Sequence, residues 1–417
     1  MIDIAHTASA YFRTQLLRSL LRSREAIERH QDRACARLVS AARSTIPFYR
    51  GKGPVLEDMP IIDKSIQQSR FDEFNRPRIT LDEAMEALAA GRDTVRGYFV
   101  GQSTGTSGNR GRFVISPAER YAWLGTIVAK AVPDALIRPR RVALALPGFS
   151  ALYKSASSGS RIRLAFFDLA LGVDAWREDL VAFAPEVLVA PPKVLRRLAE
   201  EGALAGVETF SGAEVLDPID REIVERASGR PVREIYMATE GLFAVACRWG
   251  TLHLAEDVVR FEWEKVPGSN LLVPMVTDMV RRVQPMIRYR MNDLLELSES
   301  RCRCGSPFQA VARIHGRMDD VFEFESALGR VMVTPDVLRN AVVDSHPNIR
   351  DYRIIQKADG RVAVELDEGL APEVHSAVRA ALERALARLG AAPAVETRQG
   401  IALRFDRKLR RVERERP

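Results

Sequence analysis

Long apolar runs are missing from this chain of 417 residues. A helix needs roughly 20 consecutive apolar residues to cross a bilayer, and no stretch approaches that, so a helical membrane protein is not expected. Cysteine is scarce, with four in all, which excludes a disulfide-built scaffold. A secretory signal is not expected either: Arg13, Arg18, Arg22 and Arg24 break up any apolar signal core. The stretch from Tyr11 to Leu38 is therefore predicted to be amphipathic helix, and residence in the cytoplasm is expected. No glycine is followed after four residues by Gly-Lys-Ser or Gly-Lys-Thr, so a Walker loop is absent, and a Rossmann fingerprint fails for a similar reason. There is no internal repeat and no low-complexity segment; the alanines at 380, 381, 385 and 387 reflect helix propensity.

What remains is an ordinary globular composition, 46% hydrophobic, long enough for two or three domains. The 62 basic residues outnumber 55 acidic ones, giving +7 and a preference for anionic ligands. Seven of the basic residues crowd Arg404 to Arg416. Leu403, Phe405, Leu409 and Val412 are interleaved there as packing residues, and no nucleic-acid motif accompanies them, so nucleic acid is not the expected partner.

Residues 1–95 read as a mainly helical region wrapped on the core, broken at Pro47 and Pro60. From 96 to 316, apolar runs such as 141–146 and 186–190 alternate with helical patterns such as 193–201, an α/β core with mostly parallel strands. From 317 to 417 the texture becomes a smaller α+β unit, with strands at 331–333, 352–355 and 361–366 and a helix at 372–389. Gly316 to Asp320 is the expected boundary.

The most informative segment is Gly101-Gln102-Ser103-Thr104-Gly105-Thr106-Ser107-Gly108-Asn109-Arg110-Gly111. Its backbone N–H groups and small hydroxyls suit phosphate oxygens, although a solvated turn has the same composition. Apolar runs on both sides predict a hairpin rather than a strand-to-helix turn. Five further motifs follow in order: Ser211-Gly212-Ala213-Glu214, Tyr236-Met237-Ala238-Thr239-Glu240-Gly241, Pro285 to Asp293, Gly316-Arg317-Met318-Asp319-Asp320, and Asp406-Arg407-Lys408-Leu409-Arg410. Together with the loop they resemble the motifs of the acyl-adenylate-forming superfamily, over roughly residues 40 to 412, and most closely its phenylacetate-CoA ligase branch and the relatives that adenylylate deazaflavin coenzymes.

That resemblance implies a large adenylation domain with mixed and parallel sheets, and a small mobile α+β domain. It implies ATP and Mg²⁺ as cofactors and a small carboxylic acid as substrate. Residues Ser103, Thr104, Gly105, Thr106, Ser107, Gly108 and Arg110 would grip the outer phosphates; the family's lysine is replaced here by Asn109. Ser211, Gly212, Ala213 and Glu214 would contact adenine, with Tyr236 offering a flat face, Asp293 holding the ribose and Arg317 nearby. Thr239 would donate to the α-phosphate and Glu240 would hold Mg²⁺. Lys408 would neutralise charge in the adenylation transition state, and Asp319 would be the hinge. Taken alone, Glu240 and Asp293 read equally as solvated carboxylates, Tyr236 as core packing and Lys408 as one solvated cation among several.

Phe149, Tyr153, Met237, Leu242 and Phe243 are the expected lining of the acid pocket, suited to an aryl or hydrophobic acid. The acceptor stays open. The segment from Val321 to Gly329 departs from the usual CoA-ligase pattern, leaving CoA, an acyl carrier protein, an amine or simple release of the adenylate. An adenylyltransferase acting on a hydroxyl and a non-catalytic nucleotide scaffold are the alternatives, and a homodimer is one candidate assembly.

Cys247, His253, Cys302 and Cys304 form a separate pattern: three thiols and one imidazole suit tetrahedral Zn²⁺ with no open position, a structural site. Free thiols are the other reading.

Overall fold

The computed structural model describes residues 4–102, 111–135, 137–146, 162–326, 329–401 and 410–415. The amino-terminal region is helical. Helix α1 (Ile4–Leu20) precedes α2 (Arg24–Thr45), which starts where the Ser23 side chain accepts from the Ala26 N–H. Residues Ile27, Ala34, Leu38 and Ala42 of α2 are buried at helical spacing. Helix α3 (Lys64–Ser69) is capped by Asp63, and α4 (Leu81–Ala89) by a reciprocal Thr80–Glu83 box.

Strands β1 (Thr94–Val95), β2 (Tyr98–Gln102) and β3 (Arg112–Ile115) make a small antiparallel sheet. The register pairs Gln102 with Arg112, so the glycine-rich loop joins two hairpin strands as expected. Helix α5 (Pro117–Ala131) packs on α1 at Gly125, where a β-carbon would stand 2.1 Å from the Thr7 carbonyl oxygen; only glycine permits this approach.

The core is one twelve-strand sheet. Its parallel part is built from β4 (Arg140–Leu146), β5 (Ile162–Asp168), β6 (Val187–Ala190), β7 (Glu208–Ser211) and β8 (Arg233–Ala238). These run in the order β5-β4-β6-β7-β8, with helices α6 (Arg177–Phe183), α7 (Pro192–Glu200) and α8 (Pro218–Ser228) in the connections. From β8 the sheet turns antiparallel through β9 (Gly241–Ala246), β10 (Leu252–Leu254), β11 (Val259–Lys265), β12 (Leu272–Asp278), β13 (Tyr289–Arg290), β14 (Asp293–Leu297) and β15 (Ala310–Arg317). The expectation of mostly parallel strands is corrected here. Links as short as Thr239-Glu240 leave no room for a crossover, so these strands pair as neighbours.

The N-terminal helices are part of this core. Leu38, Ile46, Tyr49 and Ile62 join Tyr236, Phe243, Tyr289 and Leu295 in one hydrophobic cluster. Residues beyond 320 bury a cluster of their own, formed by β16 (Phe322–Ser326), β17 (Gly329–Val333), α9 (Pro335–Val343), β18 (Tyr352–Gln356), β19 (Val362–Leu366), α10 (Pro372–Arg388), β20 (Val395–Gln399) and β21 (Val412–Arg414). The last four strands form a separate sheet in the order β20-β19-β18-β21.

Ionic contacts fasten this smaller unit to α7 and α8. The Tyr352 hydroxyl donates to Asp217 Oδ2 at 2.7 Å, while the other oxygen of Asp217 caps α8. Arg411 reaches Asp220 Oδ2 at 2.7 Å and Asp351 Oδ1 at 2.9 Å, and Arg196 of α7 donates to the Arg350 carbonyl at 2.8 Å. Asp220 is fully buried between the two arginines.

Candidate functional site

The turn between β8 and β9 consists of Thr239 and Glu240. Arg281 fixes its backbone by donating from Nη1 to the carbonyls of Thr239 (3.0 Å) and Glu240 (3.1 Å). The Glu240 carboxylate receives two neutral donors, Thr239 Oγ1 at 2.8 Å and the Tyr289 hydroxyl at 3.1 Å. Neither donor carries charge, so neither neutralises the carboxylate.

Tyr236 lies three residues earlier on β8 and donates its hydroxyl to Asp293 Oδ2 at 2.7 Å. Burial, and then the Asp293 charge, hold this phenol well above its ordinary range, so it stays a donor. Arg317 Nε stands 3.6 Å from the other Asp293 oxygen. Thus Tyr236, Asp293 and Arg317, drawn from three motifs, meet.

The start of β3 closes on the same turn. A β-carbon built on Gly111 would lie 3.2 Å from Thr239 Oγ1, 3.6 Å from Glu240 Oε1 and 3.6 Å from Lys64 Cε. The glycine-rich loop therefore ends against Thr239 and Glu240. Lys64, at the first turn of α3, is half-buried; burial lowers its ammonium from the usual range, opposed by the Glu240 carboxylate. Tyr289 falls inside the Pro285 to Asp293 motif without a role read from it, while Lys64 and Arg281 lie in no motif and had no signal in the sequence.

The turn after β7 is tight: Ala213 adopts φ +68, a left-handed conformation uncommon outside glycine. Its Glu214 forms a buried ion pair with Lys193 at 3.2 Å.

Tyr236 is 8% exposed, its ring packing on Phe243 with centroids 5.1 Å apart while its hydroxyl holds Asp293. One expectation changes. Leu242 and Phe243 are consecutive on β9 and fall in different hydrophobic clusters, because side chains alternate across a strand. Phe243 is fully buried and leaves the pocket lining; Leu242 pairs in register with Met237. Ser103, Thr104, Gly105, Thr106, Ser107, Gly108, Arg110, Phe149, Tyr153 and Lys408 lie outside the described residues.

No family model matches the chain. Among curated proteins it is 28% identical over 155 residues to protein CapK of Staphylococcus aureus, covering 35% of this chain and 34% of that one. It is 25% identical over 197 residues to a phenylacetate-coenzyme A ligase of Thermus thermophilus, covering 43% of each. The chain thus matches less than half the length of either relative. Among solved structures, 2-hydroxyisobutyryl-CoA ligase in the postadenylation state with 2-HIB-AMP superposes with a TM-score of 0.65 at 22% identity, covering 94% of this chain and 89% of that one. This chain has the adenylate-forming ligase fold.

The same ligase in its thioesterification state superposes less closely, with a TM-score of 0.51 over the same 94% of the chain. Within this fold the Thr239–Glu240 turn, the end of the glycine-rich loop and Asp293 are brought together across two sheets, through Gly111 and Tyr236.

The Cys/His group is a second site of the ligase-like chain. Ligand atoms of Cys247, His253, Cys302 and Cys304 lie within 4.8 Å of one another. The sulfurs of Cys247 and Cys302 are 3.7 Å apart, close to the edge of a tetrahedron with Zn–S bonds of about 2.3 Å. His253 Nδ1 faces the Phe308 carbonyl at 3.0 Å, which turns Nε2 toward Cys304 Sγ at 3.3 Å. Backbone N–H groups of Cys304 and Ser306 point at Cys302 Sγ and Cys304 Sγ, each at 3.4 Å, as suits thiolates. Donor set and geometry fit a structural zinc.

Proposed function

We propose that the protein activates a carboxylic acid with ATP, forming an acyl-AMP and pyrophosphate, and then passes the acyl group to a thiol, with CoA as the leading acceptor. The observation that carries this reading is the convergence of the loop-end Gly111 with Thr239 and Glu240, beside the Tyr236-held Asp293. Together these groups offer phosphate donors, a metal-ready carboxylate and a ribose acceptor.

The loop residues from Ser103 to Arg110 hold the outer phosphates, and Thr239 donates to the α-phosphate. Glu240 holds Mg²⁺, a hard cation that takes carboxylate oxygens and neutralises triphosphate charge. Asp293 accepts from the ribose hydroxyls, and Ser211 to Glu214 border the adenine. Lys408 neutralises charge in the adenylation transition state, with Asp319 as the hinge between residues 96–316 and 317–417. Cys247, His253, Cys302 and Cys304 carry zinc as a brace remote from chemistry. Met237 and Leu242 belong to an apolar cluster with Trp123, Ile127 and Leu144, which favours an aryl or aliphatic acid over an amino acid.

ATP–pyrophosphate exchange with Mg²⁺ over a panel of aryl, fatty and amino acids tests the reading. Exchange dependent on one acid class, falling about 100-fold or more in Lys408→Ala, supports it. ATP binding without exchange for any acid overturns it and favours adenylylation of a hydroxyl or a non-catalytic nucleotide-binding scaffold.

A further inference from the structure

Lys64 is fixed in place by the same residue that orients Glu240. Its neighbour Ile62 pairs in parallel with Tyr289, receiving a bond from the Arg290 N–H (2.7 Å) and donating to the Arg288 carbonyl (3.1 Å). Asp63 then starts α3 by accepting from the Ile66 N–H at 2.8 Å, so Lys64 leaves the backbone from a capped first turn. The hydroxyl of Tyr289 meanwhile reaches Glu240 at 3.1 Å. One tyrosine thus registers the lysine and the carboxylate against each other.

Four charged groups act on the Lys64 ammonium: carboxylates of Glu240 and Asp319, and guanidinium groups of Arg317 and Arg112. A lysine serving only as counter-ion to Glu240 would not need two arginines beside it. Several cations gathered where the glycine-rich loop ends match a ligand of high negative charge, and the loop itself, Gly101 to Gly111, contains one arginine and no lysine.

We infer that Lys64 binds the outer phosphates of the nucleotide, supplying from the amino-terminal helical region the ammonium that the glycine-rich loop lacks. This rests on the ATP-dependent reading above and specifies which part of the nucleotide is recognised there. Its neighbours explain the placement: a β-carbon at Gly111 would lie within 3.6 Å of Thr239 Oγ1, Glu240 Oε1 and Lys64 Cε alike, so a phosphate held at the loop end beside Thr239 meets the ammonium as well.

Calorimetric titration of the full chain with ATP and with AMP, in Mg²⁺, separates the outcomes. Loss of one charge-assisted contact predicts that Lys64→Met weakens ATP binding about 10- to 100-fold, while AMP affinity stays within about twofold and Lys64→Arg retains most ATP affinity. Equal weakening of ATP and AMP, or unchanged ATP affinity, would overturn the assignment while leaving the parent reading standing. A wild-type chain that binds neither nucleotide would overturn both. If Lys64→Met does not fold, Lys64→Gln is judged by the same ATP-to-AMP ratio.

Discussion

At the residue scale, Tyr236 and Asp293 are 57 positions apart in sequence, yet share a 2.7 Å hydrogen bond. Each sits in a motif legible by its residue types, and the pairing explains why both are needed. Replacing Tyr236 by Phe removes the donor and leaves an Asp293 oxygen short of a partner. The expected cost is about 1–3 kcal/mol of stability, read from urea unfolding, together with weaker binding of ATP and AMP alike. Lys64 was not legible, because a lysine after an aspartate at a short helix carries no pattern; only the tertiary pairing of Ile62 with Tyr289 brings it to Glu240. The buried state of Phe243 was equally hidden, since an apolar sequence does not say which face of a strand meets the core.

At the element scale, the hairpin around the glycine-rich loop, the helix after Pro191-Pro192 and the strands and helix of the smaller unit were all written in local patterns of turn and apolar residues. The antiparallel half of the large sheet was not, because buried strands look alike whether their partner runs parallel or antiparallel, and the length of the connection decides. The link from β9 to β10 and the loop before β15 are joined through Cys247, His253, Cys302 and Cys304. Metal analysis of the purified chain is expected to return about one zinc per chain. Cys302→Ser should release it and lower the melting temperature, with ATP affinity changed little; a zinc-free wild type of unchanged stability would favour free thiols.

At the scale of the whole molecule, the buried charges of Arg411, Asp220, Asp351 and Arg196 hold the smaller unit against α7 and α8. Rotation of the smaller unit would have to open these contacts. Asp220→Asn keeps the volume but removes one of the two carboxylates that face Arg196 and Arg411, leaving Asp351. It is expected to slow pyrophosphate exchange more than it slows thioester formation from supplied acyl-AMP. Equal loss in both half-reactions would mark the network as mere support for folding.

The parallel bridge between Ile62 and Tyr289 also bears on how such chains can be cut and recombined. A fragment trimmed to start at β1 would retain every strand of the large sheet and the motif residues from Thr239 to Asp293. It would nevertheless lack the edge segment that seats against Tyr289. Grafts between relatives should therefore carry the segment around Ile62 from the same parent as the Pro285 to Asp293 segment, since the two pair directly.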